Sequence, residues 1–337
     1  MRFKETGLLG VLLALGLAVT IFGGSLQVRD LDTGNFHTVN KFLRADNLDI
    51  LAKNTSFFAI MAIGATFVII TGGIDLSVGS MIALGGMLLV LALTEWHWPW
   101  PVAAAFTLVV TMSLGLAHGF LITRFKMQPF IVTLCGLLLY RGIARFIAND
   151  TTKGFGDAAG FKTLQGLASG KMLGVPMPFV FLVIIAIIMW IVLHRSTYGR
   201  YLFAVGRNEE ATRFSGINTR WIVASTYVLA GLLTGISAIL FAFYTNSVSP
   251  SNHGNFYELY GIAAAVLGGC SLRGGEGSII GILIGTALLL VLQNLVNLLG
   301  IPSSLNFAVM GAVVLLGVLA DQIFQARSAK KTVRVSK

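Results

Sequence analysis

Apolar residues come in long blocks separated by short polar interruptions. Ten blocks are read, at roughly 7–27, 54–71, 76–94, 101–123, 129–149, 175–194, 221–245, 257–271, 277–299 and 303–324. A helix needs about 20 apolar residues to cross the hydrocarbon core of a bilayer, and most blocks meet that length. The eighth is short. The pattern predicts an all-α polytopic membrane protein of about ten transmembrane helices, folded as one transmembrane domain over 1–337.

The sharpest interruption is Thr71-Gly72-Gly73-Ile74-Asp75-Leu76-Ser77-Val78-Gly79-Ser80. Glycine permits turns closed to other residues. A carboxylate opening a helix caps free N–H groups and faces the positive end of the dipole. Irregular polar backbone at membrane depth survives only where protein or a water-filled cavity covers it. This stretch is therefore the expected edge of a transport path, with Asp75 and Ser77 as its polar groups.

Composition narrows the class. The 337 residues are 55% hydrophobic and 11% charged, with mean hydropathy +0.82. Soluble domains carry about a quarter charged residues. The net charge of +10 does not indicate nucleic-acid binding, because the basic residues sit in loops between apolar blocks and there set topology. With the N-terminus inside, the inner segments hold fifteen Lys and Arg and the outer segments seven. Both termini are thus expected in the cytoplasm, and segment 150–174 outside as an exposed loop. Trp96, Trp98 and Trp100 flank His97 at an outer turn, as an interfacial aromatic belt does. The basic start and the apolar run 8–22 also have the form of a signal peptide, so retention of residues 1–28 is open at this level. Cys135 and Cys270 lie in apolar blocks and read as packing residues.

Gly73-Ile74-Asp75-Leu76-Ser77-Val78-Gly79-Ser80 resembles the hallmark of the ribose-type ABC importer permeases, within the branched-chain amino acid/ribose permease superfamily. Further resemblances follow in the family's order: Gly206-Arg207-Asn208-Glu209-Glu210-Ala211-Thr212-Arg213-Phe214-Ser215-Gly216-Ile217, and Tyr257-Glu258-Leu259 with Ala263-Ala264-Ala265-Val266-Leu267-Gly268-Gly269. The resemblance implies a type II-like permease in the bacterial inner membrane, with its first helix retained. It also implies an ATP-binding ABC subunit, a periplasmic sugar-binding protein and a second permease, either a copy or a paralogue. Sugar would bind the path weakly, because the external protein captures it. Ribose, xylose, galactose, rhamnose and autoinducer-2-like sugars all stay open.

The stretch from Asp75 to Gly86 resembles that from Glu258 to Gly269: an acid-Leu pair opens each and Leu-Gly-Gly closes each at equal spacing. Five blocks separate them, so an inverted internal repeat is expected, and such repeats place transport paths at their interface. Asp75 and Glu258 are candidate path or gate groups, or helix caps, or both. Arg141 lies deep in the fifth block, where a charge marks a site by default, or is held in an internal ion pair. Arg145 is near enough to the end to snorkel. Gln293, Asn294 and Asn297 line a path for a hydroxyl-rich solute or join helices by amide bonds. His118 between Gly115 and Gly119 indicates close helix packing.

Segment 196–220 is basic yet holds Glu209 and Glu210. Asn208 caps a short helix from Glu209, and Gly216 ends it. A short cytoplasmic helix of mixed charge suits docking. The resemblance makes it the coupling helix against the ATPase, with Arg207, Asn208, Glu209, Glu210, Ala211, Arg213, Ser215 and Gly216 at the contact. No phosphate-binding Gly-rich loop is present, since Gly274-Gly275-Glu276-Gly277 lacks the lysine. No zinc-ligand cluster or serine-nucleophile motif is present either. The chain is therefore expected to be no enzyme and to carry no cofactor, with membrane lipid and protein as its partners. Energy comes from a partner or from an ion gradient. An ion-coupled secondary transporter of a small polar solute is the alternative, and a channel-like or structural membrane protein is a third reading.

Overall fold

The computed structural model describes residues 3–29, 36–158 and 160–302, with 305, 308, 309, 311, 312 and 315 beyond them. The tenth predicted block, 303–324, and the basic tail after it lie almost entirely outside the described residues. Chain order is α1 (Phe3–Phe22), β1 (Ser25–Arg29), β2 (Phe36–Asn40), α2 (Ala45–Ile70), α3 (Val78–Thr94), α4 (Trp100–Phe125), α5 (Pro129–Ile147), β3 (Lys153–Gly154), α6 (Phe161–Ser169), β4 (Lys171–Met172), β5 (Val175–Pro176), α7 (Met177–His194), α8 (Thr197–Arg207), α9 (Glu209–Phe214), α10 (Thr219–Thr245), β6 (Ser247–Val248), α11 (Tyr257–Leu267) and α12 (Ile279–Leu298).

Seven of these helices are long and apolar enough to cross a membrane, and α3 and α11 are shorter apolar helices. Nine of the ten predicted blocks therefore correspond to a described helix. The polar connections hold short strands that the all-α expectation missed: β1 pairs with β2, β3 with β6 and β4 with β5, all antiparallel. Segment 150–174 is also more ordered than an exposed loop. It carries α6, whose Leu164 and Ala168 are buried, and Phe155 packs at 4.4 Å from Phe243.

The chain divides into two compact units. The first comprises 1–48 and 287–337. It contains α1, the β1–β2 hairpin and the last turns of α12. The Asn40 side-chain amide donates to the Thr20 carbonyl at 2.6 Å and ties the hairpin to α1.

The second unit is 49–286. Its centre is a glycine-lined crossing of α4 and α10. A methyl on Gly115 would strike the Tyr227 carbonyl, one on Gly119 would meet the Ala224 Cα at 2.7 Å, and one on Gly231 would strike the Thr111 carbonyl. The small-residue spacing around His118 thus does serve close packing. Around this crossing stand α3, whose 17 residues are almost all buried, and α5, which packs through Val132, Thr133, Gly136, Tyr140 and Ala144.

Contacts between loops respect the predicted sides. Lys153 pairs with Glu95 at 3.0 Å and Lys171 with Asp49 at 3.0 Å, each joining two segments assigned to the outside. The Gly275 N–H donates to the Ile70 carbonyl at 2.8 Å, joining two segments assigned to the inside.

Candidate functional site

The 71–77 interruption folds as a sharp break between α2 and α3. α2 stops at Ile70, and Gly72 turns back at φ +81°. Gly73 has no room for a side chain, because a methyl there would lie 2.5 Å from the Tyr227 hydroxyl. The Ile74 carbonyl accepts a bond from Thr133 Oγ1 of α5 at 3.1 Å. Asp75 is 3% exposed. Its Oδ1 accepts from the Ser77 amide at 2.9 Å and from the Ser77 hydroxyl at 2.6 Å. This is an Asx turn ahead of the helix, and it corrects the capping expectation: α3 begins at Val78, after Ser77, and no side chain caps its first turn. Tyr140 Oη and His118 Nε2 are hydrogen-bonded at 2.7 Å.

Glu258 enters from the other side of α3. The loop 249–256 descends along that helix: Val248 and His253 lie against Gly86, whereas Gly254 and Glu258 lie against Gly79. α11 therefore begins alongside the first turn of α3. Its 11 residues rise only about 16 Å at the usual 1.5 Å each, which explains the short eighth block. Gly79 belongs to the first motif and Glu258 to the second, and they touch: a methyl on Gly79 would collide with the Glu258 carboxylate and the Gly254 carbonyl. Glu258 is buried, and its Oε2 has no hydrogen-bond partner. Among the described residues no Lys or Arg forms an ion pair with Asp75 or Glu258.

Arg141 does not make the expected ion pair with a carboxylate. Its Nη1 donates to the carbonyls of Pro250 at 3.1 Å and His253 at 2.7 Å. It holds the descending loop. One turn on, Arg145 pairs with Asp150 at 2.6 Å, and Ser251 Oγ donates to the same carboxylate at 3.3 Å. Arg145 therefore pairs at the helix end instead of snorkelling alone.

The structure thus brings Asp75, Ser77, Arg141 and Glu258 together around α3. Gln293, Asn294 and Asn297 belong to the other unit. There Asn294 and Asn47 exchange two amide bonds, at 2.7 and 3.2 Å, so Asn294 serves helix pairing. Gln293 is half-buried and Asn297 exposed.

The matched stretches of the expected repeat differ locally. Asp75 precedes its helix by three residues, whereas Glu258 is inside its helix. Gly85 and Gly86 sit within α3, whereas Gly268 and Gly269 end α11.

Segment 196–220 forms the expected short helix from Glu209 and, ahead of it, the helix α8 that was not expected. Asn208 Oδ1 accepts from the Ala211 amide at 2.9 Å and caps α9. Gly216 follows the helix at φ +84°, and its N–H donates to the Arg213 carbonyl. Glu209 accepts from Thr219 Oγ1 at 3.1 Å, and Glu210 lies 3.9 Å from Arg213. Charge patterning passed over Phe214, which is 78% exposed at the helix end beneath the Arg213 guanidinium.

At the C-terminal end of α8, just before α9, backbones meet directly. A methyl on Gly206 would strike the Ile70 carbonyl and the Gly275 amide, and one on Gly274 would lie 3.0 Å from the Gly72 amide. The Gly-rich 274–277 loop, which lacks the phosphate-binding lysine, therefore fastens the end of α8 to the break before Asp75.

The family described as "Branched-chain amino acid transport system / permease component" matches residues 47–318, a range that holds both motifs and the segment 196–220. The chain belongs to this permease family. It is 40% identical to the ribose import permease protein RbsC of Escherichia coli strain K12 over 287 residues, 85% of this chain and 87% of the relative. It is 38% identical to RbsC of Bacillus subtilis strain 168, over 83% and 86% of the two chains. The galactofuranose transporter permease protein YtfT of E. coli K12 is 35% identical, over 85% and 82%. No solved structure matches. Like other members of the family, this permease is a helical multi-pass membrane protein.

Proposed function

We propose that this permease is the membrane subunit of an ABC importer for a monosaccharide, working with an ATP-binding subunit and a periplasmic sugar-binding protein. The carrying observation is the Gly206–Gly274–Ile70 contact, which joins the exposed segment 197–216 to the break that presents Asp75. Two interrupted helices with buried carboxylates, meeting at Gly79, form the path. Interrupted helices of this kind supply solute sites at membrane depth in transporters. Arg207, Asn208, Glu209, Glu210, Ala211, Arg213, Ser215 and Gly216, with Phe214 added, form the face for the ATPase. Both termini lie in the cytoplasm, ten helices cross the inner membrane, two permeases pair, and the halves are related by an inverted repeat at the level of five-helix units. The relatives named for ribose and galactofuranose import place the solute among monosaccharides.

The test is at α9. Ala211 is exposed, and a methyl on Gly216 meets nothing within 4 Å. Ala211→Trp therefore adds bulk only to the docking face, and Gly216→Val strains a turn that needs positive φ. Each is expected to leave membrane insertion intact and to lower import at least about tenfold, with loss of ATP hydrolysis stimulated by the binding protein. Wild-type import and stimulation in both variants would remove this segment from coupling. Uptake by the purified permease alone, driven by an ion gradient, would favour the secondary-transporter reading.

A further inference from the structure

A second polar and aromatic cluster adjoins Glu258, and of the contacts above only the Lys171–Asp49 pair touches it. Phe58 of α2 lies 4.3 Å from Tyr257 and 5.7 Å from Tyr260 of α11. Phe241 of α10 lies 5.4 Å from Tyr257, and Phe57 links it to Tyr244 at 5.2 Å. Phe58, Phe241 and Tyr257 rest against the buried side chains of Met61, Val78, Ile82 and Ala238. Yet these three rings, with Tyr244 and Tyr260, are only half-buried. Along α2 toward its N-terminal end stands the Lys53–Asp49 pair, 2.8 Å apart, with side chains 11% and 14% exposed. The Lys53 ammonium lies 6.0 Å from the centre of the Tyr244 ring.

A lipid-facing or dry packing surface does not call for three phenols and a nearly buried ion pair, since charge at membrane depth is costly. Flat apolar faces edged by hydroxyls, beside a carboxylate and an ammonium, suit a different ligand. A sugar ring lays its C–H face on an aromatic ring and offers its hydroxyls to acceptors and donors at the edge. Tyr257 is followed directly by Glu258, whose buried Oε2 lacks a partner. Asp49 and Tyr244 adjoin segments assigned to the outside, the side from which a binding protein delivers its load.

We infer that the half-buried rings of Phe58, Tyr244, Tyr257 and Tyr260, with the Asp49–Lys53 pair, form a station that holds a monosaccharide as it enters the path toward Glu258. This rests on the importer reading and assigns that reading its outer solute site.

The experiment uses proteoliposomes holding the permease with its ATP-binding subunit and binding protein. The probes are radiolabelled D-ribose, D-allose and D-fructose. Tyr257→Leu removes ring and hydroxyl, and Tyr257→Phe removes only the hydroxyl. Sugar moved per ATP hydrolysed is expected to fall at least about fivefold in Tyr257→Leu and less in Tyr257→Phe. In a background of Cys135→Ser and Cys270→Ser, Tyr260→Cys is labelled from outside by a membrane-impermeant thiol reagent. The transported sugar is expected to slow that labelling by about threefold or more. If the wild-type complex imports none of the three sugars, the importer reading itself falls. If it imports one, but Tyr257→Leu keeps the full ratio or the sugar gives no protection at position 260, the station is overturned while the importer reading stands. Disulfide cross-linking of Tyr260→Cys between two permeases that still import would make this face a subunit contact and would also overturn it.

Discussion

The two ends of the second unit differ in how far side chains fasten them. At the end assigned to the cytoplasm, Ile70, Gly72, Gly206, Gly274 and Gly275 bring three segments together largely backbone on backbone. At the other end, β3 and β6 pair through their backbones, and long side chains supply further ties. Arg141 reaches the carbonyls of Pro250 and His253, Arg145 reaches Asp150, and Lys153 reaches Glu95. A contact between backbones transmits a displacement or blocks it, because packed interiors are hardly compressible. A tether through an exposed side chain yields, and exposed ion pairs contribute only about 0–1 kcal/mol. The difference matches a transporter driven from one side and opened to a solute on the other.

The strongest way to break this contrast is at Gly206. Valine there would press a branched side chain into the Ile70 carbonyl, and overpacking of this kind costs at least about 1–3 kcal/mol. Gly206→Val is expected to reduce ATP-driven import in proteoliposomes by about fiftyfold or more, with Gly206→Ala intermediate. Import near the wild-type rate for the valine variant would show that the contact is not rigid. The next effect is at Arg141. Arg141→Ala leaves two loop carbonyls without their charged donor, worth about 1.5–3 kcal/mol per charged bond. Thermal unfolding in detergent should show a clearly lowered midpoint, partly restored by Arg141→Lys. An unchanged midpoint would mean that the loop is held by something else.

The smallest effect belongs to Asp150. The bond from Arg145 holds the exposed Asp150 carboxyl below its usual range. A carboxylate whose folded value is depressed adds stability above the unfolded value, about 3.9, and loses it as pH falls through the folded value. The wild-type and Asp150→Asn midpoints should therefore differ slightly at pH 7 and converge in acid below pH 4. A gap that persisted unchanged in acid would rule out the ion pair as its source.

The parts that could be read in advance were local. Asn208, the acidic first turn and Gly216 define α9 within nine neighbouring residues, and the helix runs from Glu209 to Phe214 as that spelling dictates. The break at Gly72–Ser77 was legible for the same reason, although its start shifted because Asp75 bonds to Ser77 and not to the helix. What escaped depends on distant partners. Nothing beside Arg141 announces that its acceptors are carbonyls more than 100 positions away. The Gly274–Gly277 loop showed only what it lacked, because its role lies in the backbone it touches. The strands β1 and β2 escaped for another reason: they occupy a polar connection, where neither the helical nor the alternating pattern is strong.

The joint at Gly206 also has a thermal consequence. A contact made of side chains freezes rotamers when it forms and frees them when it parts, which costs up to about 2 kcal/mol for each long side chain. Glycine has no rotamers to lose. Parting and re-forming this joint therefore changes side-chain entropy very little at the joint itself. The balance between its two arrangements should depend only weakly on temperature through that source, and it stays open to being set by whatever binds at either end.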